Sequence, residues 1–247
     1  GGGGDLLQPG HNVFEAVNIA LPLAPPILDH SPKSRSGEGD KNLVGSQQLK
    51  HSGNRCVVYG MGISSDSAFE EQMAMLGCET HAFDCTIDPR AKSVTGKHFV
   101  FHQWCIGVKP KASMKNEGYA SVYLPEDESR LEFKGLLEVM ALLGHTFIDV
   151  LKFDIEGFEW QLFELLFQAN VPVGQMSFEL HSRWSNRKYV PHAVVACKDN
   201  VEVNRLFAAL YDRGHYVVSK ELNGGDSGSA EFVTLNMNAS VEFHRLI

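Results

Sequence analysis

Three side chains with acid–base or metal-binding chemistry follow two apolar segments of the chain. Asp154 comes directly after segment 147–153, and Glu179 and His181 alternate to one side at the end of segment 173–180. Carboxylates and an imidazole in one place can accept a substrate proton or bind a divalent cation such as Mg²⁺. A structural hydrogen bond explains Glu179 and His181 equally well. Asp154, Glu179 and His181 are therefore candidate catalytic residues and candidate metal ligands.

A glycine turn forms the second candidate feature. Gly60 and Gly62 follow the apolar segment 56–59 and precede a predicted helix, at whose start Asp66 can act as an N-cap. The third glycine of a dinucleotide fingerprint is missing at Ser65, which argues against NAD or FAD. Asp84, at the end of the next strand, can accept hydrogen bonds from a ribose. Together these features suit a nucleoside without phosphates, such as S-adenosylmethionine (SAM).

Two further positions depend on their surroundings. Trp104 and Cys105 follow a predicted third strand and could line an adenine slot, although core packing explains Trp104 equally well. Lys152 stands within a buried strand and needs a partner, or must reach solvent. His145 is one of several scattered histidines that we interpret as structural or surface residues.

The elements that position these residues alternate between strands and helices. Apolar runs predict strands at 56–59, 78–83, 98–104, 147–153 and 173–180, and then at 215–219 and 231–235 without a helix between them. Helical spacing predicts helices at 68–76, 131–143, 158–166 and 201–211. This order predicts an α/β fold: a three-layer sandwich around a mostly parallel sheet with an antiparallel pair at one edge. Ligands in such sheets bind beyond the carboxyl ends of the strands.

Composition narrows the class of protein. The chain has 247 residues and a net charge of −8, without a run of Lys and Arg, so we expect no nucleic-acid partner. We also expect no membrane span, because no stretch approaches about 18 apolar residues. Five widely spaced cysteines without a C-x-x-C motif argue against a disulfide framework or a zinc cluster, and four of them are interpreted as buried thiols. Residues 1–50, rich in Pro, Ser and Gly, are interpreted as a leader, and residues 51–247 as the functional domain.

Several segments together resemble a known family. They are VVYGMGISSDSAFE (57–70), LGCETHAFD (76–84), LGHTFIDVLKFDIEGFEW (143–160) and FELH (178–181). They are similar to FkbM-type SAM-dependent methyltransferases, and within these to the methyltransferase-like protein 24 group. The resemblance implies a class I methyltransferase (Rossmann-like) fold, with a seven-stranded sheet whose last strand is antiparallel. It also implies that Gly60, Gly62 and Asp84 hold SAM, with Tyr59 and Asp66 nearby.

The function expected from this resemblance is SAM-dependent O-methylation of a small-molecule or glycan hydroxyl, which a divalent metal can assist. Two alternatives stay open: a non-catalytic module that binds SAM or a nucleoside, and an NAD(P)-dependent oxidoreductase. The native compartment and the oligomeric state are left open. We interpret the four leading glycines as a cloning remnant, which leaves room for a targeting or anchor segment in the natural protein.

Overall fold

The computed structural model describes Phe14, Val17 and residues 28–30, 42–45, 56–107, 131–187, 190 and 192–238. The strands are β1 (Leu28–His30), β2 (Asn42–Val44), β3 (Val57–Met61), β4 (Glu79–Phe83), β5 (Val100–His102), β6 (Trp104–Ile106), β7 (Glu132–Lys134), β8 (Ile148–Phe153), β9 (Val173–His181), β10 (His215–Leu222) and β11 (Ser229–Asn236). The helices are α1 (Ala68–Met75), α2 (Leu136–Leu143), α3 (Glu159–Ala169), α4 (His192–Val195) and α5 (Asn200–Asp212).

A seven-stranded sheet forms the centre of the fold. Its strand order is β10-β11-β9-β8-β3-β4-β5. The neighbouring strands β9, β8, β3, β4 and β5 are parallel to one another, whereas β11 runs antiparallel to its neighbours β9 and β10. The predicted α/β class and the antiparallel last strand are confirmed. The carboxyl ends of the parallel strands therefore meet at one edge, where the candidate residues were expected.

Apolar side chains fill both faces of the sheet, which explains the unbroken apolar runs of its central strands. Tyr59, Leu151 and Phe153 point to the face that α2, α3 and α5 cover. Val58 and Val150 point to the other face, against Phe69 and Met73 of α1 and against β2. The core thus holds the strand ends in fixed register on both sides.

The described residues of the N-terminal segment pack against this sheet. Leu43 and Val44 of β2 are buried, and the backbone of Val44 exchanges two 3.1 Å hydrogen bonds with the Gln175 side chain. Lys220 Nζ donates to the carbonyl oxygen of Val17 at 2.7 Å. Most of the predicted leader 1–50 lies outside the described residues, and its boundary at residue 50 stays a prediction.

Two predicted elements were wrong in their extent. Segment 98–104 continues beyond β5, because Trp104–Ile106 leaves the main sheet as β6 and pairs in parallel with β7. The predicted helix 131–143 begins only at Leu136, since Glu132–Lys134 forms the strand β7 that pairs with β6. Gly135, in extended conformation, separates the strand from α2 and occupies the N-cap position.

The expectation that the cysteines form no disulfide framework was also wrong. Cys56 is bonded to Cys78, and Cys85 to Cys105, while Cys197 is free and exposed. Cys56 and Cys78 directly precede the neighbouring strands β3 and β4, whereas Cys85 follows β4 and Cys105 lies within β6. Sequence spacing alone does not reveal these pairings. Within the described residues, no helix has the length and apolar character needed to cross a membrane.

Candidate active site at the carboxyl edge of the sheet

The glycine turn lies between the ends of three strands. Gly62 has φ +74°, and its backbone N–H donates to the carbonyl oxygen of Phe83 at 3.1 Å. A Cβ atom at Gly62 would lie 1.8 Å from the backbone oxygen of Asp154. Only glycine combines this backbone conformation with such a close approach. The turn is therefore fixed against the end of β8, where Asp154 begins the acidic part of the site.

The buried Lys152 has two polar partners, a backbone carbonyl oxygen and a carboxylate. Its ammonium donates to the carbonyl oxygen of Gly62 at 2.8 Å and lies 3.8 Å from Glu70 Oε1. The Glu70 side chain is fully buried against Gly60, where an added Cβ would lie 2.2 Å from its Oε1. Lys152 and Glu70 thus form a buried ion pair beneath the glycine turn. The sequence indicated the need for a partner but not its identity.

The acidic side chains predicted to serve a cofactor border this turn. Asp84 Oδ2 accepts a hydrogen bond from the backbone N–H of Ser64 at 3.2 Å, and its Oδ1 accepts two from Thr86. Asp66 Oδ1 accepts from the backbone N–H of Ala68 at 2.9 Å, at the start of α1. Asp84 is partly exposed, so its oxygens retain acceptor capacity for a ribose.

The segment predicted to line an adenine slot lies beside Asp84. Trp104 stacks on His102 with 4.4 Å between ring centroids, and Lys134 Nζ lies 4.9 Å from the centre of the indole. Cys105 carries no free thiol, because it is bonded to Cys85, the residue after Asp84. The bridge thereby fixes β6 to the loop that carries the candidate ribose acceptor.

Tyr59 occupies a different environment from the other predicted cofactor residues. It has no exposed surface, and its hydroxyl is hydrogen-bonded to His145 Nδ1 at 2.7 Å. Burial and the nearby Glu79 carboxylate raise the pKa of this phenol well above its usual range. The placement favours a structural role for Tyr59 over contact with a ligand.

The three candidate catalytic residues lie together at the carboxyl edge. Asp154, Glu159 and His181 each bring one ligand-type atom within 4.8 Å of the others, and so do Asp154, Glu179 and Glu231. His181 Nε2 lies 3.6 Å from Glu179 Oε2. The structure therefore joins the ends of β8 and β9 into one acidic cluster around an imidazole.

Glu159 has a larger role than the helix-terminus contact that its position suggests. Its side chain is fully buried and accepts hydrogen bonds from the backbone N–H groups of Ile155, at 2.9 Å, and Gly157. Its Oε1 also lies 3.3 Å from His181 Nδ1. Glu231 was missed altogether, because only the β9–β11 register, which pairs it with Glu179, reveals it.

The carboxylates set the charge of the imidazole. Burial by itself lowers the pKa of His181, but the carboxylates of Glu159 and Glu179 outweigh burial and raise it to about 10. His181 is therefore an imidazolium near neutral pH. In that state it offsets part of the negative charge of the cluster and does not accept a proton from a substrate.

Sheet topology, glycine turn and acidic edge define a class I SAM-dependent methyltransferase fold. A family model described as "Methyltransferase domain" matches residues 30–235, so the chain belongs to the methyltransferase domain family. The resemblance to FkbM-type enzymes in particular stays a prediction.

Curated relatives point to the same family. The chain is 32% identical to the human probable methyltransferase-like protein 24 over 158 residues, which cover 63% of this chain and 39% of that protein. It is 31% identical to the rat protein of the same name over 134 residues, 53% of this chain and 34% of the relative. The chain thus spans less than half the length of these two relatives.

Two solved methyltransferase structures are similar to the chain at low identity and with low TM-scores. One is a SAM-dependent methyltransferase from Aquifex aeolicus, with 12% identity, 76% of this chain and 87% of that chain covered, and a TM-score of 0.38. Another is a 16S rRNA (adenine(1408)-N(1))-methyltransferase from Catenulisporales acidiphilia, with 11% identity, 83% and 96% covered, and a TM-score of 0.42.

Proposed function

We propose that this chain catalyses SAM-dependent O-methylation of a small-molecule or sugar hydroxyl. The observation that carries the proposal is the contact between the glycine turn and Asp154, since Gly62 approaches the Asp154 carbonyl oxygen too closely for any side chain. A donor held at the turn and an acceptor held by the acidic cluster would then meet at one edge of the sheet. Such alignment supplies a large part of the acceleration of a bimolecular transfer.

Residues around the turn are proposed to hold the cofactor. Gly60 and Gly62 allow its close approach, Asp84 accepts hydrogen bonds from its ribose, and the β6 segment around Trp104 flanks its base. SAM supplies a methyl group bonded to a positively charged sulfur. Lys152 keeps the Gly62 carbonyl oxygen turned inward at 2.8 Å, which orients the turn.

The acidic cluster is proposed to manage the proton of the acceptor. With SAM bound, its methyl group would pass to the acceptor oxygen and leave the demethylated product, while a carboxylate oxygen of Asp154 or Glu179 would take the hydroxyl proton. Because the pKa of His181 is raised to about 10, the charged imidazole stabilises these carboxylates while the base is one of them. The predicted roles of Asp154 and Glu179 are kept, and His181 becomes their counter-ion.

The predicted divalent metal remains an alternative way to neutralise the cluster. Oxygen atoms of Asp154, Glu179 and Glu231 are ligands that Mg²⁺ accepts. His181 would have to lose its proton before it could join them. Full activity after exhaustive chelation would exclude this role, and restoration of activity by Mg²⁺ alone would support it.

Binding of the cofactor is the first test. Isothermal titration with SAM and with its demethylated product should show one site, and Asp84→Asn should weaken binding at least tenfold. Asp88→Asn is the matched control, because Asp88 lies four residues after Asp84 in the same loop and is an exposed carboxylate paired with Arg90. Absence of binding by both ligands would contradict the proposal, and saturable NAD(P)H binding in their place would support an oxidoreductase.

Turnover is the second test. Transfer of a radiolabelled methyl group from SAM to a panel of sugars and hydroxylated small molecules should identify an acceptor. Asp154→Asn and Glu179→Gln should then lower the rate while SAM affinity persists. A non-catalytic binding module would bind SAM and methylate no member of the panel.

The two disulfides bear on the compartment. Because disulfides form and persist in oxidising environments, we propose that the natural protein works in such a compartment. Labelling of free thiols in protein from its native source should modify Cys197 and spare the other four cysteines. Labelling of all five would overturn the assignment.

A further inference from the structure

A second polar cluster lies at the amino end of β4, beside the C-terminus of α2. Glu79 Oε1 lies 3.1 Å from His145 Nε2 and 3.2 Å from His81 Nε2. All three ligand-type atoms lie within 4.8 Å of one another. The cluster therefore brings two imidazoles and one carboxylate to a common point, although the sequence alone left His145 among the structural histidines.

We propose that Glu79, His81 and His145 form a zinc site with a water molecule as the fourth ligand. Zinc binds imidazole nitrogen and carboxylate oxygen at about 2.0–2.2 Å, and three protein ligands plus water form a common open site. In a tetrahedron of that size, neighbouring ligand atoms lie about 3.3–3.6 Å apart. The two observed separations need to change by only a few tenths of an ångström.

The remaining ring nitrogens are held by neighbouring side chains, the buried Tyr59 and the partly exposed His102. His145 Nδ1 is hydrogen-bonded to the Tyr59 hydroxyl at 2.7 Å, and His81 Nδ1 to His102 Nε2 at 2.9 Å. Metal-ligating histidines almost always have their second nitrogen fixed in this way, because the bond sets the ring orientation. Here both bonds direct Nε2 toward Glu79.

Rigid backbone carries the three ligands. His145 follows the left-handed Gly144, and its N–H donates to the Met140 carbonyl oxygen at 2.8 Å. The N–H of Glu79 donates to the carbonyl oxygen of Cys56 at 2.7 Å, next to the Cys56–Cys78 disulfide. Sites on fixed elements bind metal with little reorganisation.

Exposure gives an ion a route to the site. The side chains of His145 and His81 are 2% and 6% exposed, whereas that of Glu79 is 26% exposed. The carboxylate thus borders solvent while the imidazoles line the interior. An open fourth position on the Glu79 side can hold water.

The zinc site is separate from the proposed cofactor site. Glu79 is the first residue of β4 and Asp84 follows its last, so the two lie at opposite ends of the strand, roughly 16–17 Å apart at about 3.3 Å per residue. Failure of the zinc proposal would leave the proposed methyl transfer untouched, and the reverse also holds.

A metal-free network is the competing explanation. The same two distances suit N–H donation from His81 and His145 to Glu79. The two explanations differ in their response to metal. A preformed zinc site gains stability from the ion, and a purely hydrogen-bonded network does not.

Metal titration of the full chain with its disulfides intact tests the proposal. Co²⁺ alone, as a spectroscopic substitute, should give visible absorption of a tetrahedral nitrogen–oxygen site, and Zn²⁺ should displace it at one equivalent. His81→Gln and His145→Gln should weaken binding at least tenfold, and Tyr59→Phe by about 10–100-fold through loss of the supporting bond. His215→Gln is the matched control, since His215 is a buried histidine bonded to Thr234 at the far side of the sheet.

Three results would overturn the proposal. They are absence of Co²⁺ absorption and of Zn²⁺ stabilisation in the unaltered chain, binding unchanged by the two histidine variants, and binding lost in Asp154→Asn or Cys197→Ser. If a histidine variant does not fold, Glu79→Gln decides the question, because the amide keeps the hydrogen-bonding shape and removes the charge that zinc requires. Unchanged zinc affinity in Glu79→Gln would then count against the site.

Discussion

Replacement of Gly62 by alanine measures how tightly the glycine turn is held. The matched control is Gly144→Ala, because both glycines have φ +74° while a Cβ at Gly144 meets nothing within 4 Å. The left-handed backbone alone costs an alanine about 1–2 kcal/mol. Gly144→Ala should lose this amount and little more.

Gly62→Ala carries an additional steric cost. Its Cβ would lie 1.8 Å from the Asp154 carbonyl oxygen and 2.9 Å from the carbonyl carbon, so backbone has to move. Overpacking of this kind costs about 1–3 kcal/mol, which brings the total to about 2–5 kcal/mol. For a domain of this size 1 kcal/mol corresponds to about 2–4 °C in Tm. We expect Tm to fall by about 2–8 °C for Gly144→Ala and by roughly 4–20 °C for Gly62→Ala.

Calorimetry with and without SAM is the assay. SAM affinity should be unchanged in Gly144→Ala and at least tenfold weaker in Gly62→Ala, because the turn and the Asp154 backbone shift together. Equal Tm losses in the two variants would refute the steric argument. Unchanged SAM affinity in a destabilised Gly62→Ala would refute the placement of the cofactor at this turn.

Two further perturbations test the disulfides and the charged cluster. Removal of either disulfide by double Cys→Ser substitution should lower the free energy of unfolding in urea by about 3 kcal/mol, since the loops of 22 and 20 residues are nearly equal. Only loss of Cys85–Cys105 should also weaken SAM binding. Equal effects of the two losses on SAM affinity would count against a role of Cys85–Cys105 beside Asp84. The pKa of His181 is raised to about 10 from 6.5, so its contribution to stability is complete below pH 6.5 and is lost as pH rises toward 10. Relative to His181→Gln, the unaltered chain should lose up to about 1.4 kcal/mol per pH unit in that window, and parallel stability curves would show that the imidazole is neutral.

Local sequence patterns predicted the positions of most strands of the sheet but few of the pairings between strands. The apolar runs around Tyr59 and Leu151 identified buried parallel strands, because both faces of such strands are covered. The predicted end of α1 at Gly77 is confirmed, because this glycine has a left-handed backbone with φ +97°. The strand Glu132–Lys134 was mistaken for helix, because it directly precedes the apolar segment of α2 and its pairing with β6 is not a local property.

The candidate site shows the same division. Asp154, Glu179 and His181 could be proposed together, because the strand-end rule places them at one edge. Glu231 and Glu70 depend on strand register and helix packing, which no spacing reveals. The protonation of His181 likewise depends on Glu159, whose carboxylate turns back from α3 to lie 3.3 Å from the ring.

One disulfide lies at each end of β4, beside a group of polar side chains. Cys78 precedes Glu79 at the amino end of β4, and Cys85 follows Asp84 at its carboxyl end, so β4 has a bridge beside each of its polar ends. The first bridge restrains the proposed zinc site around Glu79, and the second restrains the β6 segment around Trp104 that is proposed to flank the cofactor. Because a loop held at both ends loses less entropy when it binds a ligand, each disulfide should act on the affinity of its own site. We therefore expect the oxidation state of these four cysteines to affect binding at both proposed sites.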